Sequence, residues 1–150
     1  MAAKDIYHNH VKNALINDGW TITHDPLRLK SGDSQMDSNH DKLNRYREII
    51  KRILTDTARY LPQDEQAPHK TVFDADADSY AIVAVGWDSG KRVHQFIIHL
   101  EIINGKVWLQ ADNTDLVIAD DLERAGIPKN DIVLGFHPPH IRPLTEYAAA

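Results

Sequence analysis

The sequence predicts an α+β fold: a long amphipathic helix packed on an antiparallel sheet, then a second helix and a short final strand. Three observations carry this expectation. Between Asp41 and Leu61, the residues Leu43, Tyr46, Ile50, Ile53, Thr57 and Leu61 recur at steps of three or four, the period of a helix with one apolar face. From His69 to Gln110, runs rich in Val, Ile and aromatic residues are separated by turn residues, as strands are. Asn104-Gly105 joins two of these runs, and this dipeptide favours the tight hairpin turn whose two central residues both need positive φ.

Residues 1–37 read as a head outside that domain. Asp5 to Asp18 places Tyr7, Val11, Ala14 and Leu15 at helical spacing, with Gly19 where a left-handed C-terminal cap belongs. Trp20 to Thr23 alternates like a short strand and is stopped by His24-Asp25-Pro26. One helix and one strand bury too little to fold alone. Residues 31–40 (SGDSQMDSNH) read as a polar linker, with Met36 standing where a fresh domain would start. The expected division is therefore 1–37, a head plus linker, and 38–150, a single α+β domain.

In that domain Ser38 and Asp41 have the spacing of a capping box, and Pro62 ends the long helix. His69 to Asp74 and Tyr80 to Trp87 are the first strands. After a turn at Asp88–Lys91, Arg92 to Ile103 alternates, with Phe96, Ile98, Leu100 and Ile102 on one face and Gln95, His99 and Glu101 on the other. Lys106 to Gln110 is the hairpin partner. Leu116 to Ala125 is the second helix, capped by Thr114 or Asp115 and closed by Gly126, with Ile118, Leu122 and Ala125 facing inward. Pro128 opens a single turn to Asp131, Ile132–Leu134 is the last strand, and the proline-rich tail from Gly135 is expected to stay extended until Thr145.

Composition narrows the chemistry. The 150 residues contain no cysteine, which excludes disulfides, zinc–thiolate sites and cysteine nucleophiles. No apolar stretch reaches membrane-spanning length and the N-terminus lacks a signal-peptide core, so a cytoplasmic protein without membrane contact is expected. The net charge is −5; the first 75 residues balance, and the second 75 carry the whole excess. An acidic chain is a poor non-specific duplex binder. The exception is the Asp41–Leu61 helix, where Lys42, Arg45, Arg47, Lys51, Arg52 and Arg59 outnumber Asp41, Glu48 and Asp56.

No catalytic or cofactor signature emerges. Asp74, Asp76 and Asp78 open like a calcium loop, but Ser79 and Val85 stand where its glycine and closing glutamate belong, so an acidic hairpin tip is the better reading. His8-Asn9-His10 reads as a solvated helix face. His137 and His140 flank two prolines that would hold them on one side of an extended helix, without an assignable third metal ligand. A rigid docking segment accounts for the same residues, and Gly135, Phe136, His137, Pro138, Pro139 and Arg142 are taken as a candidate interaction surface. His99 and Glu101, two apart on one strand face, could do acid–base work in a pocket that also held His137; a half-exposed sheet face carries such groups without chemistry. Trp87 and Trp108 could stack on bases, but no basic cluster accompanies them, which favours packing.

From about Asp41 onward the chain resembles the XisI family, controlling factors of fdxN-element excision in filamentous cyanobacteria. The likeness rests on Tyr46-Arg47-Glu48-Ile49-Ile50, Val85-Gly86-Trp87, Arg92-Val93 and the run AGIPKNDIVLGFHPP from Ala125 to Pro139. Ala3 to Lys30 resembles the start of XisH, the companion usually encoded beside XisI. XisH looks like a restriction-type nuclease, whose acidic strand and Glu-x-Lys element lie beyond the matched stretch, so no nuclease activity carries over. The resemblance implies a small α+β fold and a regulatory, non-enzymatic factor of developmentally timed DNA excision, acting with an XisH-like companion and a site-specific recombinase. It implies no cofactor, metal or catalytic residue. Contact with nucleic acid through the basic helix is the alternative reading, a small hydrolytic or ligand-binding protein a further one, and homo-oligomerisation is left open.

Overall fold

In the computed structural model the chain forms two compact units, Met1–Asp41 and Lys42–Ala150. Residues 21–22, 29–30 and 34–150 are described, with side chains from Ser38 onward. In the first unit β1 (Thr21–Ile22) pairs antiparallel with β2 (Leu29–Lys30). The run expected as a strand at Trp20–Thr23 thus supplies one at its centre, and β2 was not foreseen. The expected Asp5–Asp18 helix, the Gly19 cap and His8-Asn9-His10 lie outside the described residues.

The long helix α1 spans Ser34–Tyr60. It begins well before the expected start, so residues 34–40 are helix rather than linker and Ser38 is not an N-cap. The cause is cooperativity: once the apolar stripe has nucleated the helix, each further residue adds a hydrogen bond without a new nucleation cost. Tyr46, Ile50 and Leu54 are almost fully buried, and each such side chain contributes about 1.5–3 kcal/mol relative to exposure.

The second unit contains a five-stranded sheet, ordered β3 (His69–Asp74), β4 (Ser79–Asp88), β5 (Lys91–Ile103), β6 (Lys106–Asp112) and β7 (Ile132–Leu134). The first four strands form an antiparallel meander. Its two tight turns use Ser89-Gly90 (φ 47° and 79°) and Asn104-Gly105 (φ 51° and 78°), both with the doubly positive φ that matches strand twist. β7 pairs with β6 in parallel, because the chain travels through α2 (Ile118–Arg124) and re-enters from the same end. The sheet is therefore mixed.

Two register shifts bend the meander. Ile82 pairs with Ile98 but Val83 with Phe96, leaving Ile97 as an extra residue in β5; Gln110 plays the same part in β6, between Leu109 and Ala111. A bulge reverses alternation beyond it. Ile98, Leu100 and Ile102 face inward as expected, whereas Phe96 is turned to the opposite face and is 49% exposed. One core unites Tyr46, Ile50 and Leu54 with Tyr80, Ile82, Leu100, Val107, Leu109 and Ile132, and with Ile118 and Leu122 of α2.

The ends of α2 differ in how far they follow expectation. Neither Thr114 nor Asp115 caps it. Thr114 is consumed in the loop, its hydroxyl 2.6 Å from Asp112 Oδ1, and Asp112 Oδ2 instead accepts from the Ile118 amide at 3.3 Å. At the other end Gly126 (φ 109°) closes the helix, with Ile127 N donating to Leu122 O and Gly126 N to Glu123 O, the paired bonds of a Schellman motif.

Candidate functional site

The tail after β7 holds the residues singled out as an interaction surface. It does not run extended. Pro138 O accepts from the amides of Ile141 and Arg142, and a 3₁₀ turn follows at Arg142–Leu144. Arg142 organises this fold-back: its Nε donates to His137 O at 2.9 Å, its Nη2 to Gly135 O at 3.4 Å, and its guanidinium lies 4.9 Å from the Trp108 ring centre. Gly135 is tightly placed, since an added Cβ would lie 3.2 Å from Leu109 O and 2.3 Å from the movable end of the Gln110 side chain. Phe136 stays half exposed, its ring 4.7 Å from that of His137. The turn replaces the extended geometry expected to align His137 with His140. Farther on, Tyr147 donates to Glu123 Oε1 at 2.7 Å and the Ala148 amide to Ile132 O at 2.9 Å, which ties the tail to α2 and β7.

The sheet face opposite the core gathers the second set. Ser79 Oγ lies 2.9 Å from His99 Nε2, Glu101 Oε1 lies 4.0 Å from the same nitrogen, and Gln110 Nε2 donates to Glu101 Oε2 at 2.8 Å. Phe96, displaced by the bulge, stacks on His99 at 4.8 Å. A serine–histidine–carboxylate relay needs the hydroxyl and the carboxylate on different ring nitrogens; here both address Nε2. His137 does not join the group: among the described residues no three His, Cys, Asp or Glu side chains gather closely enough to hold a metal ion. Ser79 was missed in the sequence because only the bulge at Ile97 brings it beside His99 and opposite Glu101; Gln110, by contrast, falls opposite His99 on regular pairing back from the Asn104-Gly105 turn and could have been found.

Asp74, Asp76 and Asp78 form the β3–β4 hairpin tip. Asp74 Oδ1 accepts from the amides of Asp76 and Ala77 at 3.0 Å each. Asp78, at φ 51°, takes a two-pronged bond from Arg47 (2.7 and 2.8 Å) and another from the Tyr80 hydroxyl at 3.0 Å. The Arg47 bonds hold the Asp78 carboxyl below its ordinary range, and burial together with Asp78 pushes Tyr80 up to about 12.

The basic helix is largely committed to internal partners. Lys42 pairs with Asp131 (2.7 Å), Arg47 with Asp78, Lys51 with Glu48 (3.4 Å) and Arg59 with Asp56 (3.5 Å), while Arg45 donates to Gly126 O (3.2 Å). Arg52 lines an open groove of about 870 Å³ between α1 and the α2 region, with Ile53, Leu61, Ile97 and Leu116 among its apolar lining and Asp56, Asp121 and Arg124 among its charged residues. Sequence reasoning missed this groove. Trp87 is 58% exposed, with Arg92 across the strand pair 5.7 Å from its ring; it is a cross-strand surface pair and not core. Among the described residues no helix is long and apolar enough to cross a membrane.

Two helices joined to one face of a five-stranded mixed sheet define a small α+β domain. Residues 40–149 match the XisI protein family, and the chain belongs to it. Residues 1–44 match the XisH protein family. A XisI-like protein from Anabaena variabilis ATCC 29413 is 35% identical, with a TM-score of 0.69 over 72% of this chain and 99% of its own. The fdxN element excision controlling factor XisI from the same organism is 40% identical, with a TM-score of 0.66 over 73% of this chain and 99% of its own. Comparison with curated proteins gives no match.

Proposed function

We propose that this protein is a non-enzymatic accessory factor for excision of a DNA element by a site-specific recombinase. It acts in the cytoplasm through protein contacts, with a full-length XisH-family protein as its direct partner. The observation that carries this reading is the presence of an XisH-family segment and a XisI-family domain in one polypeptide. A covalent link holds two modules at high effective concentration, an arrangement suited to modules that work together. The contact surface is the tail at Gly135, Phe136, His137, Pro138, Pro139 and Arg142. Arg142 already pins its backbone, so little ordering entropy is lost on binding, and Phe136 offers an aromatic anchor of the kind that dominates interfaces.

Calorimetric titration of the full chain with a purified full-length XisH-family protein tests this. Binding is expected, and Phe136→Ala should weaken it about tenfold or more. No binding at high micromolar concentration removes the reading. The same preparation should give no gel shift on element-border DNA at low salt, because most of the α1 cations already have internal partners; a shift lost steeply with added salt would instead favour the DNA-binding alternative.

A further inference from the structure

Among the described residues β3 is an edge of the five-stranded sheet, paired only with β4, and five of its six residues are exposed. Val72 is 47% and Phe73 37% exposed. An open edge of β-forming residues is a template for another strand, which proteins ordinarily blunt with charge. Here the charges are ordered: Lys70 and Asp74 flank Val72, all three on the sheet face opposite the core, because their neighbours Thr71 and Phe73 pair with core-facing Ile82 and Tyr80.

We propose that two copies of this chain pair through β3, antiparallel about Val72, to make one continuous sheet. In that register Lys70 stands opposite Asp74 of the second copy, Val72 opposite Val72, and Thr71 opposite Phe73. The backbone agrees. Val85 N donates to Pro68 O and Trp87 N to Gln66 O, so by alternation Lys70, Val72 and Asp74 turn their amides and carbonyls toward β4. Thr71 and Phe73 turn theirs to the free edge, and these are the two residues that exchange ladder bonds in the Val72-centred pairing. Val72 and the charged pairs then occupy the non-hydrogen-bonded sites, where facing side chains stand closest. Centring on Lys70 would oppose two lysines, centring on Thr71 would face each charge with an uncharged residue, and centring on Phe73 would set Asp74 against Val72 and carry Lys70 past the end of β3 to the turn at Asp76. Asp74 makes its turn bonds through Oδ1, so its Oδ2 is available to the partner lysine. A second copy is the occupant chosen because this strand's own charge order is self-complementary under a two-fold axis.

Sedimentation equilibrium on the full chain tests the proposal. The wild type should dimerise, and Lys70→Glu should raise the dissociation constant at least about tenfold, since two attractive cross-strand pairs become repulsive. Combining Lys70→Glu with Asp74→Lys should recover most of that loss. Thr71→Pro removes an edge-facing amide while sparing the β3–β4 ladder, and should leave a folded monomer by circular dichroism. A monomeric wild type overturns the proposal, as does a dimer whose dissociation constant neither Lys70→Glu nor Thr71→Pro moves. Lys70 is an exposed position whose reversal leaves folding intact, so Lys70→Glu decides the matter even where another variant unfolds. XisH binding at the tail is read separately, so either conclusion can fail alone.

Discussion

Gly86 fixes a chain crossing through the absence of one methyl group. An added Cβ would lie 2.0 Å from Gln66 O and 2.5 Å from Ala67 Cα, both backbone atoms that cannot swing aside. Gly86→Ala should therefore cost about 2–3 kcal/mol, the scale of an overpacked core, read as a lower urea midpoint at unchanged slope. Asp78 and Tyr80 make a second residue-scale case, in which pH is the variable. The Asp78 carboxyl is held below its ordinary range by Arg47, so its stabilisation is present above the unfolded value and lost as pH falls through the lower folded one. Tyr80 is pushed up to about 12, so its contribution holds up to about pH 10 and falls between there and about 12, by roughly 1.4 kcal/mol per pH unit. Urea melts across pH should show the acid limb flattened in Asp78→Asn and the alkaline limb flattened in Tyr80→Phe. The opposite pattern, with limbs as steep as wild type, would assign those slopes to other groups.

Elements were legible in the sequence where local chemistry dictates them, and illegible where tertiary contacts do. β3 and β7 lie where short runs of strand-forming residues bounded by turn residues put them, and the Asn104-Gly105 and Ser89-Gly90 turns follow from their residue types. The bulges carry no such mark. Counting back from the Ser89-Gly90 turn puts Ser79 opposite Leu100; only the extra residue Ile97 moves it opposite Glu101, beside His99. Phe96 is misread for the same reason, and the groove lined by Ile97 cannot be seen without the fold. Asp131 illustrates an element held from a distance. Its Oδ2 accepts from the Tyr46 hydroxyl at 2.6 Å and pairs with Lys42 at 2.7 Å, joining α1 to the 3₁₀ turn Lys129–Asp131. Burial works to raise this carboxyl, but the bonds from Lys42 and Tyr46 outweigh it and hold it low. Asp131→Asn keeps an acceptor for Tyr46 and should cost under about 1 kcal/mol, as for a half-exposed ion pair. Asp131→Ala strands a buried hydroxyl and should cost about 2 kcal/mol. Equal losses in thermal melts would mean that Tyr46 has no stake in the contact.

At the scale of the whole molecule, the XisI-family domain should stand without the segment that precedes it. Every core residue found among the described residues lies between Tyr46 and Leu134. The two solved relatives from Anabaena variabilis are each covered over 99% of their length by only 72–73% of this chain. Their chains hold this domain and no counterpart of the head, and they fold. A domain of roughly 110 residues is also large enough to bury most of the surface that its unfolded chain exposes. A chain beginning at Met36 would lose β1, β2 and the first residues of α1, whose Ser34–Tyr60 span crosses the boundary; fraying of a helix end is cheap beside loss of core. Its unfolding free energy should therefore lie within about 2 kcal/mol of the full chain. Denaturant melts of the two proteins decide the question: a larger loss would make the head part of the fold, and a match would leave it free for partner binding.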